Sequence, residues 1–166
     1  MFKKIIISII AIVTIVSFGY FLYQPSPTAQ VQKPILDPQN TTYIIEGQAI
    51  TLINGRAEQV LTPVSATKII TQYFGNEVKA DFNNDGIQDE AFLLTQDRGG
   101  SGTFFYVIAL LSSGNSYQGT NAVLLGDRIA PQASGFQNGQ IIVNYAQRKL
   151  GESMTAQPSV GASKYF

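Results

Sequence analysis

An uncharged, mostly apolar run from Ile5 to Tyr23 opens the chain, and no later stretch is as long or as uniform. Those 19 residues, at a helical rise of about 1.5 Å each, reach about 28 Å, close to the hydrocarbon thickness of a bilayer. Lys3 and Lys4 stand before the run and no charge stands just after it. The pattern predicts a transmembrane helix within residues 1–23, N-terminus in the cytoplasm and the remainder outside. Tyr20 and Tyr23 fall where an interfacial aromatic belt belongs. A cleaved signal peptide is the competing expectation, with Ser17 and Gly19 supplying small residues at a cleavable spacing.

Residues 24–42, "QPSPTAQVQKPILDPQNTT", are polar and carry four prolines. Proline blocks helix and weakens strand pairing, so the segment is expected to be an extended tether. From Tyr43 onward the pattern changes to short β-like runs separated by glycine turns. Ile50 and Leu52 alternate with Thr51 and Ile53, a weak period of two. Asn54-Gly55 and Asn138-Gly139 favour positive φ and mark tight hairpin turns. "EAFLLTQ" and "TFFYVIALLSS" are the clearest strands, the second apolar enough to be central and covered on both faces. "NAVLLGDRIA" and "QIIVNYAQR" follow as further strands. "TKIITQYFGNEVKA" reads two ways: Pro63 and Ser65 suggest a helix start, whereas Ile69, Ile70, Thr71, Tyr73 and Phe74 favour a strand. The expectation is a mainly β fold: one antiparallel, sheet-rich domain over residues 43–166, a sandwich or open barrel, behind the N-terminal helix.

Composition narrows the function classes. The chain contains no histidine and no cysteine, which removes thiolate chemistry, disulfides, a cysteine-linked lipid anchor and the commonest general base. Of its 11 basic residues Lys3 and Lys4 precede the membrane run, leaving 9 against 11 acidic residues. The domain is therefore slightly acidic and has no basic patch, so nucleic acid is not an expected partner.

The chemistry concentrates in "KADFNNDGIQDEAFLL", which begins at Lys79. Oxygen donors recur at alternate positions, Asp81, Asn83 and Asp85, with Asp89 four residues on. Gly86 falls where the chain must turn sharply, and Ile87 can offer its backbone carbonyl. Calcium takes six to eight hard oxygen ligands in forgiving geometry, which such a loop supplies. The twelfth position holds Phe92 where a helix-loop-helix hand carries glutamate, and a strand rather than a helix follows. Over about ten residues the loop resembles the DxNxDGxxD loops of FG-GAP-type and dockerin-like extracellular modules, and FG-GAP more closely because a strand follows there too. The resemblance implies calcium ligands at Asp81, Asn83, Asp85, Ile87 (backbone) and Asp89, with Glu90 or Asp97 as candidates for a further one. The competing reading is an Asn/Asp/Gly turn capped by its own side chains.

Other constellations are weaker. "RGGSGT" (98–103) lacks the lysine and following helix of a phosphate loop and reads as a hairpin turn. Ser65-x-x-Lys68 lacks the partner motifs of a serine acylase. Gly151-Glu152-Ser153 lacks the second glycine of a nucleophile elbow, and Asp127-Arg128 reads as a local ion pair. The aromatics Tyr73, Phe74, Phe104, Phe105, Tyr106, Tyr117 and Tyr145 are expected as core or cross-strand pairs more than as a ligand surface. The combined expectation is a membrane-anchored extracytoplasmic binding or envelope-structural module with one structural calcium loop, attached through residues 5–23. The alternative is a cell-surface hydrolase using a carboxylate pair near the loop, drawn from Glu77, Asp89, Glu90 and Asp97.

Overall fold

The computed structural model describes residues 37–60, 66–113 and 116–166. The expected membrane helix, most of the tether, Pro63 and Ser65 lie outside them. No helix among the described residues is long and apolar enough to cross a membrane.

Eleven strands follow in order: β1 (Thr42–Ile45), β2 (Gln48–Thr51), β3 (Arg56–Val60), β4 (Lys68–Ala80), β5 (Asp89–Asp97), β6 (Thr103–Ser113), β7 (Ser116–Gly119), β8 (Val123–Asp127), β9 (Ala130–Gln137), β10 (Gln140–Gln147) and β11 (Val160–Tyr165). The fold is mainly β, with antiparallel sheets and a half-barrel. One sheet runs β3-β4-β5-β6-β7, with β8 pairing β6 beyond β7's reach; β1-β2 form a hairpin and β11-β10-β9 a three-stranded sheet.

Alternation along β5 and β6 explains the layering. Side chains of successive strand residues point to opposite faces. Phe92 and Leu94 of β5, with Tyr106, Ile108 and Leu110 of β6, join Tyr43, Ile45, Ile50 and Leu52 in one buried cluster under the β1-β2 hairpin. Leu93, Phe105 and Val107 face the other way and pack with Leu125, Ile129, Val143 and Tyr145. The central sheet is thus covered on both faces, as the unbroken apolar run of β6 predicts. Ile50 and Leu52 are buried and Thr51 and Ile53 exposed, which is the expected period of two.

The ambiguous segment is a strand from Lys68 to its end: β4 spans 13 residues. It bends at Gly75 (φ 95°) and Asn76 (φ 60°), where its register against β5 slips. Ile69, Ile70, Thr71 and Tyr73 outweigh the helix-start signal because each pairs across the sheet, while Phe74 falls at the register slip and packs on Phe105. Both Asn-Gly turns adopt positive φ at both residues, Asn54/Gly55 at 51° and 77° and Asn138/Gly139 at 52° and 76°. Asp37–Thr41, the end of the expected tether, are bonded to the domain. The Gly55 amide donates to the Gln39 carbonyl (2.8 Å), Leu52 to Thr41 (3.0 Å), and the Tyr43 hydroxyl to the Pro38 carbonyl (2.6 Å).

Candidate functional site

The acidic loop joins β4 to β5, closing a hairpin whose last registered pair is Ala80 and Asp89. Asn84 (φ 60°) and Gly86 (φ 82°) supply the left-handed turns that wind it. Its side-chain oxygens fold inward onto its own backbone. The Asp85 amide donates to both Asp81 Oδ1 (3.1 Å) and Asn83 Oδ1 (3.0 Å), so those two oxygens converge on one point. The Gly86 amide donates to Asp81 Oδ2 (2.8 Å) and the Ile87 amide to Asp85 Oδ1 (2.8 Å). Asn83 Nδ2 donates to Asp85 Oδ2 (3.0 Å). Asn83 and Asp85 are exposed, and Asp81 and Ile87 half-buried.

Asp89 stands apart from these. It is wholly buried, and its carboxylate ties the loop to β6: Phe82 N–H, in the loop, donates to Oδ2 (2.9 Å) and Ser112 N–H, in β6, to Oδ1 (2.8 Å). Ser112 Oγ donates in turn to the Gln88 carbonyl (2.8 Å), so the loop's exit is locked to the end of β6. Among the described residues, no three acidic side chains are gathered as a metal site would hold them. The donor set nevertheless suits a hard cation. Each carboxylate oxygen has two lone pairs, and the hydrogen bond each oxygen of Asp81 and Asp85 accepts leaves one over.

Glu90 and Asp97 are placed elsewhere. Asp97 ends β5, about 26 Å from Asp89 at strand rise, and caps its own turn by accepting the Gly99 amide (2.7 Å). Glu90 follows Asp89 and so takes the opposite face of the sheet, against Lys79 (3.5 Å). Lys79 also meets Glu77 (3.1 Å), whose other oxygen accepts a short hydrogen bond from the Tyr73 hydroxyl. Glu90 is buried and its Oε1 has no hydrogen-bond partner. Burial pushes its pKa up, against the pull of Lys79. The Tyr73 hydroxyl and then Lys79 hold Glu77 below the usual carboxylate range. Burial first, and then the bond to Glu77, push the Tyr73 phenol up.

The sequence names the carboxylates of this cluster and misses Lys79 and Tyr73. The available signal was Glu77-x-Lys79, two charges on one face of a strand. Nothing in the sequence marks Ser112, which meets Asp89 through sheet register alone.

The minor motifs resolve simply. Residues 98–102 close the β5-β6 hairpin, where Arg98 reaches Glu46 (2.6 Å) and the Tyr106 hydroxyl (2.6 Å) and lies over the Phe104 ring (4.8 Å). Lys68 pairs with Glu58 (2.8 Å), and Glu152 caps the Lys149 amide (2.9 Å). Asp127 and Arg128 form the expected ion pair (2.7 Å). Tyr43 and Tyr73 pack against Phe92, and Phe74 against Phe105. Comparison with protein-family models, with curated proteins and with solved structures gives no match to this chain.

Proposed function

We propose that the chain is a membrane-anchored, extracytoplasmic, non-catalytic binding or envelope-structural module, its β4–β5 loop clipped by a calcium ion. The observation that carries the reading is the convergence of Asp81 and Asn83 oxygens on the single Asp85 amide, with Asp85 folded onto the same loop. The same short loop carries two carboxylates, Asp81 and Asp85, whose like charges repel each other and attract a cation. The proposed ligands are Asp81, Asn83, Asp85, the Ile87 carbonyl and Asp89, the last through lone pairs not used by Phe82 and Ser112. The anchor is the apolar run 5–23, and the half-barrel favours the open-barrel form of the fold over a closed sandwich.

A calcium site of extracellular type binds at about 0.1–1 mM. At about 1 mM calcium and a dissociation constant of about 0.1 mM it adds about 1.4 kcal/mol. That is a structural clip for a calcium-replete compartment, not a switch. The test is thermal unfolding of the full-length chain in 2 mM calcium and in excess chelator, beside an Asp81→Ala/Asp85→Ala double variant. Calcium should raise the midpoint by several degrees in the wild type alone. An unmoved midpoint returns the loop to a self-capped turn.

A further inference from the structure

A second feature lies at the other end of the central sheet. A cleft of about 380 Å³ opens there, its walls including Phe105, Ile129, Arg148, Met154, Gln157 and Pro158. That volume falls in the range of small-molecule sites, about 300–1,000 Å³, which pair an apolar lining with a few fixed polar groups. Phe105 and Ile129 are buried and Met154 is half exposed, so the apolar wall runs from the core out to the mouth.

The charges at the cleft do not cancel. Arg128 spends its fork on Asp127, with Nε at 3.0 Å and Nη2 at 2.7 Å from Oδ2, and Asp127 Oδ1 also accepts the Thr103 amide (3.0 Å). That pair is closed. Arg148 has no such partner: among the described residues no carboxylate lies within ion-pair distance of it. Its guanidinium donates from Nη1 to the Arg128 carbonyl (3.2 Å) and from Nη2 to the Asp127 carbonyl (3.2 Å). Nη2 also faces the Met154 sulfur at 3.9 Å. Two neutral carbonyls therefore fix the guanidinium in place, and Asp127, whose carboxylate feels its charge, is already paired with Arg128, so one positive charge is left over. On the Nε–Nη2 edge, one of the two forks by which arginine takes a carboxylate, Nη2 meets a backbone carbonyl and a thioether, both uncharged.

We propose that this cleft binds a small organic monoanion. Its carboxylate takes the Nε–Nη2 edge of Arg148 in place of the Met154 sulfur. Its apolar body lies along Phe105, Ile129 and Pro158, where it covers the exposed thioether. One net positive charge selects one negative charge, and the apolar wall selects against a bare, strongly hydrated anion. The inference is independent of the calcium loop. The cleft opens at the Thr103 end of β6 and the loop is bonded to Ser112 at the other end, about 30 Å away at strand rise, so either reading can fail alone.

The test uses the full-length chain, 15N-labelled, titrated with benzoate, with benzamide as its uncharged analogue, and with inorganic phosphate. Benzoate should shift the amides of Arg128, Arg148 and residues 154–157 with saturation, and benzamide should bind at least tenfold more weakly. Arg148→Gln should weaken benzoate at least tenfold and leave benzamide unchanged. Should Arg148→Gln lose its dispersed spectrum, Ala156→Phe takes its place: it fills the cleft, keeps the guanidinium, and should abolish the benzoate shifts. Equal affinity for benzoate and benzamide would overturn the proposal, as would benzoate binding that survives Arg148→Gln, or Ala156→Phe where that variant stands in. Non-saturating shifts, or phosphate binding as tightly as benzoate at the same amides, would also overturn it.

Discussion

Asp89→Asn isolates what the acidic run does for the fold from what it does for a cation. The wild-type carboxylate accepts a buried amide, Ser112 N–H at 2.8 Å, and a part-buried one, Phe82 N–H at 2.9 Å. Asparagine keeps the size but only one acceptor oxygen, and it turns an N–H₂ toward the second donor. A hydrogen bond to a charged group contributes about 1.5–3 kcal/mol, and a buried donor left unpaired costs about 1–3 kcal/mol. One bond lost and one weakened therefore predict about 2–4 kcal/mol of destabilisation. The assay is urea unfolding at pH 7 in excess chelator, so that a bound cation contributes to neither side. Asp85→Asn is the control. It also removes one negative charge from the loop, but Asp85 is exposed and its bonds are local, so a change within about 0.5 kcal/mol is expected. If Asp89→Asn costs no more than Asp85→Asn, the bridge between the loop and β6 does not hold the sheet end, and the argument fails.

Phe92→Ala should cost about 3–5 kcal/mol in the same unfolding assay, because the ring is buried between Tyr43 (5.7 Å) and Tyr73 (5.1 Å). Gly99→Ala should cost about 1–2 kcal/mol through its left-handed backbone alone, since φ is +80°. A Cβ there would also stand 2.2 Å from Thr67 Cγ2, so the measured midpoint shift should exceed that of Gly139→Ala, where φ is +76° and space is open. Glu90→Gln should stabilise at pH 7. The folded chain holds the Glu90 proton to higher pH than the unfolded chain, so stability is lost as pH rises from about 4.5 through the raised value. The glutamine variant lacks that loss, and its advantage should vanish below pH 4.5 in a pH series of melts.

Sequence legibility followed the strength of the alternation. β5 and β6 sit where "EAFLLTQ" and "TFFYVIALLSS" place them, because a strand buried on both faces must be apolar at nearly every position. The Asn-Gly turns were legible because few other dipeptides tolerate two positive φ values in succession. β4 was not settled, since its helix-start residues are local signals while its strand character comes from pairing with β3 and β5 on either side. β11, "VGASKY", carries no apolar stripe and is a strand because β10 presents a complementary edge, Ile142 to Gln147 against Tyr165 to Val160. At the acidic loop the spacing picked out Asp81, Asn83 and Asp85, whose oxygens accept the loop's own amides. It also grouped Asp89 with them, whereas Asp89's partners include an amide 23 residues away in sequence, Ser112, brought close by register.

The two adjacent carboxylates Asp89 and Glu90 show why composition alone cannot assign roles in a sheet. Both are buried and both begin β5, and a reading by spacing treats them as interchangeable oxygen donors. The pleat sends them to opposite faces. On one face two amides receive the Asp89 charge and the group becomes a fastener between the loop and β6. On the other, Glu90 meets one half-exposed lysine already shared with Glu77, and one of its oxygens has no partner. Neutralising the first should therefore loosen the protein and neutralising the second should tighten it, although the substitutions are chemically the same and one residue apart. Opposite signs in chelator at pH 7 are what this placement demands. The same sign for both would mean that the two side chains share one environment, as they would if the loop gathered both carboxylates around a single point.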